Sequence, residues 1–270
     1  MTDKILLVGS GNMGFAMLEG WLKARGDLEF HVVEPEEPLR RRSAEAGATV
    51  WASADALPAG FDPVLIFLAV KPQVMDKVAP AYAGFAGGAA TFVSVAAGVT
   101  IESLADYLPG ATPIIRTMPN TPAAIGRGMM VSFANSHVAD KARALTEGLL
   151  QSSGVTAWIE DEDLMDAVTA ISGSGPAYVF HFIECLTAAG IKLGLPDDLA
   201  LMMAKQTVMG SGQLASESPT PPAILRQQVT SPGGTTAAAL EVFMANRALE
   251  TLVEQAATAA RDRGAELGKA

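Results

Sequence analysis

The sequence predicts an α/β protein, with a doubly wound sheet in its first half and an all-helical domain in its second. Three observations predict it. Short apolar, β-branched runs alternate with helix-periodic segments as far as Ile159, the pattern of a parallel sheet buried on both faces. A glycine-rich turn joins the first run to the first helical pattern. From Leu164 onward the strand signal disappears and helical periodicity fills the chain. The division falls at residue 162, giving domains 1–161 and 162–270.

In order, Ile5 to Val8 reads as a buried strand, followed by a helix from Asn12 to Ala24. Glu29 to Val33 is the second strand, and the Arg-rich stretch after Pro38 suits a helix. Further strands are expected at Val64–Val70, Thr91–Ala96, Pro113–Met118, Met129–Ala134 and Val155–Ile159. Helical segments lie between them at Val74–Tyr82, Ile101–Leu108 and Ala139–Gln151. The second domain reads as helices at Leu164–Ile171, Ala177–Leu193, Asp197–Ala215, Pro221–Val229 and Thr235–Gly264, punctuated by Gly194-Leu195-Pro196 and Ser216 to Pro222.

Composition narrows the function classes. Apolar residues make up 49% and charged residues only 18%, enough to bury a substantial core and too apolar for disorder. A net charge of −10 argues against a nucleic-acid surface, which needs clustered cations. The one basic cluster, Arg40-Arg41-Arg42, reads as a solvated helix face. Cys185 is the sole cysteine, expected as a buried helical residue, so no intrachain disulfide or cysteine-based zinc site can form. His31, His137 and His181 are scattered, and no metal site is expected. The start of the chain leaves no room for a signal peptide, and no apolar run is long enough to span a bilayer, so the expectation is a cytoplasmic protein with no membrane partner. An apolar helical domain rich in small residues is expected to bury a face in a second copy.

Gly9-Ser10-Gly11-Asn12-Met13-Gly14 fits G-x-G-x-x-G directly after a strand and at the start of a helix, the context in which the spacing signifies a dinucleotide site. Gly9 permits the tight turn, Gly11 lets the backbone approach a pyrophosphate, and Gly14 lets helix and strand pack closely. The helix N-terminus then receives the phosphate charge. Glu34 ends the second strand, about 20 residues on, where a carboxylate accepts from the adenosine ribose hydroxyls. A carboxylate there repels a 2′-phosphate, which favours NADH over NADPH unless Arg40 to Arg42 reach the ribose. Three further strand ends carry small or polar residues in constrained turns: Ala69-Val70-Lys71-Pro72, Ala96-Ala97-Gly98-Val99, and Met118 to Pro122 with Asn120 at its centre. Together they outline a cofactor pocket for NAD(P)H.

Two glycine-serine loops open later helices. Ser172-Gly173-Ser174-Gly175-Pro176-Ala177-Tyr178 places a proline at a helix start, with Ser174 or Gly175 as its cap. Ser231-Pro232-Gly233-Gly234-Thr235-Thr236 precedes another helix with flexible glycines and two hydroxyls. Either could be a well-formed cap or a binding site for a small carboxylate.

With these motifs in this order, the chain resembles pyrroline-5-carboxylate reductase over essentially its full length. The two glycine-serine loops carry the likeness most specifically, since many dehydrogenases share the first glycine motif. The resemblance implies a Rossmann domain joined to a helical dimerisation domain, the active site between them, and homodimers that assemble further, as decamers for example. It implies that the Gly233-Gly234 backbone and Thr235 hold the carboxylate of 1-pyrroline-5-carboxylate, that Thr236 bonds the ring nitrogen, and that Glu162 and Gln228 approach the substrate, with Ser231 and Ser174 among the catalytic-site residues. Gln228 and Glu34 depart from the family, which more often has Asn or Asp at the first position and a small polar residue at the second. The implied reaction is NAD(P)H-dependent reduction of the imine to L-proline, the last step of proline biosynthesis. A β-hydroxyacid dehydrogenase would need a catalytic lysine on the inter-domain helix, and there is none between Leu164 and Ile191. A non-catalytic nicotinamide-sensing protein would leave the two polar loops without a purpose.

Overall fold

The computed structural model describes residues 2–268. The chain forms two compact units: residues up to 174 together with those from 260 onward, and residues 175–259. Residues 162–174 thus pack with the sheet rather than with the long helices.

In the first unit β1 (Lys4–Val8), α1 (Asn12–Ala24), β2 (Glu29–Val33), α2 (Glu37–Glu45), β3 (Thr49–Trp51) and β4 (Leu65–Leu68) come first. Then follow α3 (Met75–Val78), β5 (Thr91–Ser94), α4 (Ile101–Ala105), β6 (Ile114–Met118), β7 (Gly128–Ala134), α5 (Asp140–Gln151), β8 (Gly154–Trp158) and α6 (Met165–Val168). The strands make one sheet in the order β3-β2-β1-β4-β5-β6-β7-β8. Alternate side chains serve opposite faces. Ile5 and Leu7 pack with Met17, Trp21 and Phe67 on one side; Leu6 and Val8 pack with Ile66, Met75 and Phe92 on the other. Trp21 is fully buried with its ring 4.5 Å from that of Phe67. Each such side chain contributes about 1.5–3 kcal/mol by leaving water.

The sheet departs from the all-parallel expectation at one place. β6 and β7 are antiparallel, with Met118 opposite Val131 and Ile115 opposite Ala134. The cause is the connection: a single 3-10 turn, Thr121–Ile125, closed by Gly126 at φ +69, which is far too short for the crossover a parallel pair requires. The short strand β3 was not anticipated; three residues give too little pattern to read. The helix expected at Val74–Tyr82 is reduced to a short α piece between 3-10 turns, with Pro80 removing a backbone donor, and that expected at Ile101–Leu108 ends at Ala105.

The second unit holds α7 (Gly175–Lys192), α8 (Asp197–Glu217), α9 (Pro222–Gln228), α10 (Thr235–Met244) and most of α11 (Ala248–Leu267). α7 and α8 pack closely because Gly190 presents no side chain: a Cβ there would lie 3.2 Å from that of Ala200. Gly194, at φ +95, makes the turn between them. The single helix expected from Thr235 to Gly264 is broken at Ala245–Arg247, where Asn246 and Arg247 take left-handed φ values of 50° and 57°. Asn is among the few non-glycine residues that enter this region readily. Within α7 to α10 only Ala200 and Ala204 are buried, whereas Phe180, Met202, Val229 and Val242 are exposed. Cys185, expected in a core, is also exposed, because a single chain leaves this face of α7 uncovered. Among the described residues, no helix is long and apolar enough to cross a membrane.

His31, in β2, has its ring edge on Phe61 at 4.7 Å, and its Nδ1 accepts a hydrogen bond from Trp51 Nε1 at 3.4 Å. Burial pushes its pKa below the ordinary 6.5, with the Glu29 carboxylate opposing in part. The unfolded chain therefore binds more protons than the native one between the depressed value and 6.5, so stability rises with pH through that window. We expect the melting temperature to fall as pH drops below about 6.5, and His31→Gln to flatten that fall. A scan of Tm against pH for both proteins checks this.

Candidate active site

The Gly9–Gly14 turn leaves the carboxyl end of β1, the strand on either side of which the chain order diverges, with β2 and β3 to one side and β4 to β6 to the other. In doubly wound sheets this is where ligands bind. Sterics fix the turn. Gly9 has φ +88, and a Cβ would stand 2.8 Å from the Ala69 carbonyl. A Cβ on Gly14 would lie 2.3 Å from the Gly9 carbonyl and 3.3 Å from Ala69 Cβ. Gly11, by contrast, faces open space, with nothing within 4 Å of its missing Cβ. It is the N-cap of α1 and offers no side-chain cap, so the first backbone N–H groups of a 13-residue helix remain available. Asn12 is exposed and Met13 half-buried beside it. Backbone approach from the Gly11 side and an uncapped helix N-terminus together fit an anionic phosphate group.

Ser10 is clamped through every polar group it has. Its N–H donates to Glu34 Oε2 at 2.7 Å, its carbonyl accepts from Arg42 Nη2 at 2.7 Å, and its hydroxyl lies 2.6 Å from that of Ser43. Glu34 is 5% exposed, and its other oxygen accepts from the Glu36 N–H at 3.0 Å. The arginine triplet is not the solvated face expected. Arg40 donates to the carbonyls of Glu34 and Pro35, and Arg42 lies 3.9 Å over the Phe15 ring; only Arg41 is surface-bound, against Glu37. The polarity of the triplet hid this: Arg40 turns back on carbonyls five and six residues before it, and Arg42 reaches the Ser10 carbonyl, 32 residues away.

The neighbouring strand ends converge on the same edge of the sheet, as parallel pairing of β1, β4, β5 and β6 requires. Ala69 donates its N–H to Val8 and, with Val70, forms the wall behind Gly9. Lys71 is exposed and precedes a 3-10 turn that Pro72 begins. Ala96 is buried and Ala97 half-buried, and Gly98 turns at φ +75. Beyond them a cavity of about 410 Å³ is lined by Pro72, Gly98, Val99, Ser103, Tyr107 and Leu267; the last three escaped the sequence reading because α4 and the end of α11 meet here only in the fold. Asn120 is a brace: its Nδ2 donates to the Ser172 carbonyl at 3.1 Å and its Oδ1 accepts from the Met129 N–H at 2.9 Å.

Glu162 and Ser174 also lie in the first unit. Glu162 Oε1 accepts from Arg116 Nη1 at 2.6 Å and from the Ile101 N–H at 2.8 Å. Arg116 is only 4% exposed, and sequence reading missed it because it sits within an otherwise apolar strand. Ser174 ends a π-helical turn, Thr169–Gly173, and donates its N–H to the Thr169 carbonyl at 2.8 Å. α7 begins at Gly175 with Pro176 second, close to the expected place. Such widened turns arise frequently at functional sites.

The remaining residues gather in the second unit. Gln228 ends α9 and is exposed, as are Ser231, Gly233 and Thr235, while Gly234 and Thr236 are half-buried. Gly233 turns at φ +68 with open space around it, and Gly234 donates its N–H to the Ser231 carbonyl at 3.0 Å. Gly234 is the N-cap of α10 and offers no side chain, so this helix too presents free N–H groups, here beside the hydroxyls of Thr235 and Thr236.

The clash at Gly14 gives a direct check. Gly14→Ala forces the turn open and should destabilise the protein by about 1–3 kcal/mol, the usual effect of overpacking. Gly11→Ala, facing open space, should leave stability within about 0.5 kcal/mol. Urea unfolding of the two variants measures the contrast.

Comparison with known proteins agrees with this layout. Residues 162–267 match the family model for pyrroline-5-carboxylate reductase dimerisation, and residues 4–98 match that for NADP oxidoreductase, coenzyme F420-dependent. The chain is 40% identical to a pyrroline-5-carboxylate reductase of Pseudomonas aeruginosa, over 99% of this chain and 98% of that one. It is 38% identical to that of Synechocystis over the full length of both. Among solved structures, a pyrroline-5-carboxylate reductase of Coxiella burnetii superposes with a TM-score of 0.92 at 31% identity over the whole of both chains. That of Plasmodium falciparum, solved with NADP bound, gives 0.85 at 29% identity over 98% of each. Full-length identity at this level, with both loops in place, means that the chain belongs to the pyrroline-5-carboxylate reductase family.

Proposed function

We propose that this chain catalyses NAD(P)H-dependent reduction of 1-pyrroline-5-carboxylate to L-proline, the last step of proline biosynthesis. The observation that carries the reading is the uncapped N-terminus of α10, opened by Gly233 and Gly234 and flanked by two threonine hydroxyls, on a chain that also has a dinucleotide turn. Free N–H groups at a helix start suit a carboxylate. In this assignment Ser231, the Gly233-Gly234 backbone and Thr235 hold the substrate carboxylate, and Thr236 orients the ring nitrogen. Ser174 and Gln228 border the substrate.

Gly9 to Gly14 would hold the pyrophosphate of NAD(P)H, with Glu34 at the ribose. Ala69 to Pro72, Ala96 to Gly98 and Asn120 would flank or brace the nicotinamide half. When bound, the cofactor supplies the hydride that the imine carbon receives. The residues assigned to the substrate include no His, Lys or Cys. A substrate entering as its iminium needs none, because hydride addition leaves a neutral amine. The protein's part is then to fix distance and orientation and to present oriented N–H dipoles.

Residues 162–270 are assigned to substrate binding and dimerisation, supported by the span of the dimerisation model and by the exposed apolar side chains of α7 to α10. The protein acts as a homo-oligomer, a dimer or an assembly of dimers such as a decamer. A cytoplasmic location, with its NAD(P)H pool, suits the reaction, and the net charge of −10 disfavours nucleic acid.

Glu34 favours NADH, because a carboxylate already anchored to the turn cannot move aside for a 2′-phosphate. Oxidation of NADH and of NADPH with 1-pyrroline-5-carboxylate tests this: kcat/KM should favour NADH by roughly tenfold or more. A preference for NADPH would keep the reaction and assign the ribose corner to Arg40 and Arg42. No turnover with either would refute the function. Thr236→Ala should lower kcat on the order of tenfold and leave the Kd for NADH unchanged; unaltered turnover would remove Thr236 from the chemistry.

A further inference from the structure

The Arg116–Glu162 pair is the most deeply placed ion pair among those described, and neither fold nor sequence explains why a strand of the sheet should carry a guanidinium. Arg116 stands in β6 opposite Ser94 of β5 and Phe133 of β7, with 4% of its side chain exposed. An arginine cannot shed its charge, so it must be paired where it is buried. Its partner is 46 residues away, on the 3-10 turn Glu162–Leu164, which Asp161 caps by accepting from the Asp163 N–H.

The same Glu162 oxygen accepts the backbone N–H of Ile101, the first residue of α4. Thr100 caps that helix from the other side by accepting from the Ser103 N–H at 3.0 Å. The Ala96–Thr100 loop is therefore fastened at its far end by two side-chain acceptors, one of them held in register by a buried cation. Between that fastening and the end of β5 lies Gly98, buried at φ +75, where a Cβ would stand 3.3 Å from the Gly264 carbonyl and from Leu267 Cβ at the end of α11. The end of α11 thus confines the middle of the loop, while Glu162 and Thr100 set the direction in which it enters α4.

We propose that Glu162 and Arg116 form a positioning pair for the Ala96–Thr100 loop, with Glu162 acting on the cofactor through the Ile101 N–H rather than on the substrate. This rests on the reading of Ala96 to Gly98 as part of the NAD(P)H site. The Arg116 guanidinium donates to the Glu162 carboxylate; its charge fixes the carboxylate, and the carboxylate fixes the end of the loop.

The test compares Glu162→Gln with the double substitution R116M/E162M in the full chain. The double variant removes the pair without stranding a buried charge, so it should melt close to the wild type. It still deprives the Ile101 N–H of its acceptor. Its Kd for NADH, followed by nucleotide fluorescence, should rise about 3–10-fold, and kcat should fall on the order of 10–100-fold as the nicotinamide loses its alignment. KM for 1-pyrroline-5-carboxylate should stay within about twofold. Glu162→Gln keeps an acceptor oxygen for Ile101, so it should show the same cofactor defect in milder form; it decides the question alone if the double variant fails to fold. A raised substrate KM with unchanged NADH affinity would overturn the proposal and make Glu162 a substrate ligand. Wild-type cofactor affinity and kcat in the double variant would also overturn it. Should the wild type not reduce the imine, the functional reading falls, and the NADH titration still decides the pair: weakened binding supports it, unchanged binding refutes it.

Discussion

The structure turns on how one peptide is held. Ser10 gives its N–H to Glu34, its carbonyl to Arg42 and its hydroxyl to Ser43, and a residue so bound has no freedom left. The turn around it is equally confined by sterics, since Gly9 and Gly14 admit no Cβ. These restraints come from different places: the residue after β2 supplies Glu34, α2 supplies Arg42 and Ser43, and the residue after β4 supplies the wall at Ala69. The opening of α1 is thus fixed by three elements that must first assemble as a sheet. What remains unfilled is the space at Gly11, on the side where the helix N–H groups point. Preorganisation of this kind leaves little reorganisation to be done when an anion arrives.

The same logic explains the antiparallel step at β6–β7. A parallel continuation would have needed a crossover helix on one face of the sheet after Met118. The proline-bounded turn sends the chain straight back, and keeps Asn120 at the edge where the other strand ends lie. Asn120 then ties that edge to Ser172, at the π-helical turn that leads into α7. An architectural exception at the end of a strand therefore coincides with a connection between two of the motifs.

What was legible in the sequence was local. The Gly9–Gly14 spacing, the acidic end of β2, the small residues after β4 and β5 and the glycines before α10 are each set by backbone geometry within a few residues, and each stands at a strand end or helix start. What was illegible depends on partners remote in sequence. Arg42 reads as a surface residue until the Ser10 carbonyl and the Phe15 ring come beside α2, and Arg116 looks anomalous until Glu162 arrives. The direction of β7 is decided by the length of a turn rather than by the strand's own apolar pattern, which is the same in either direction. Cys185 misled for a related reason: its helix is apolar enough for a core, but one chain does not provide the cover.

The distribution of buried polar contacts fits a reaction that asks for placement more than for proton chemistry. Where an acid or base must be tuned, a site concentrates titratable groups whose environments move their pKa values apart. The residues gathered here are instead glycines, hydroxyls and backbone N–H groups, supported by side chains whose polar atoms are already engaged: Glu34 and Asn120 at both ends, Glu162 through one oxygen twice. Such groups donate or accept in fixed directions. For hydride delivery to a cation, which produces a neutral amine, fixed direction is the property that lowers the barrier, and the buried anchors behind each loop are where the sequence provides it.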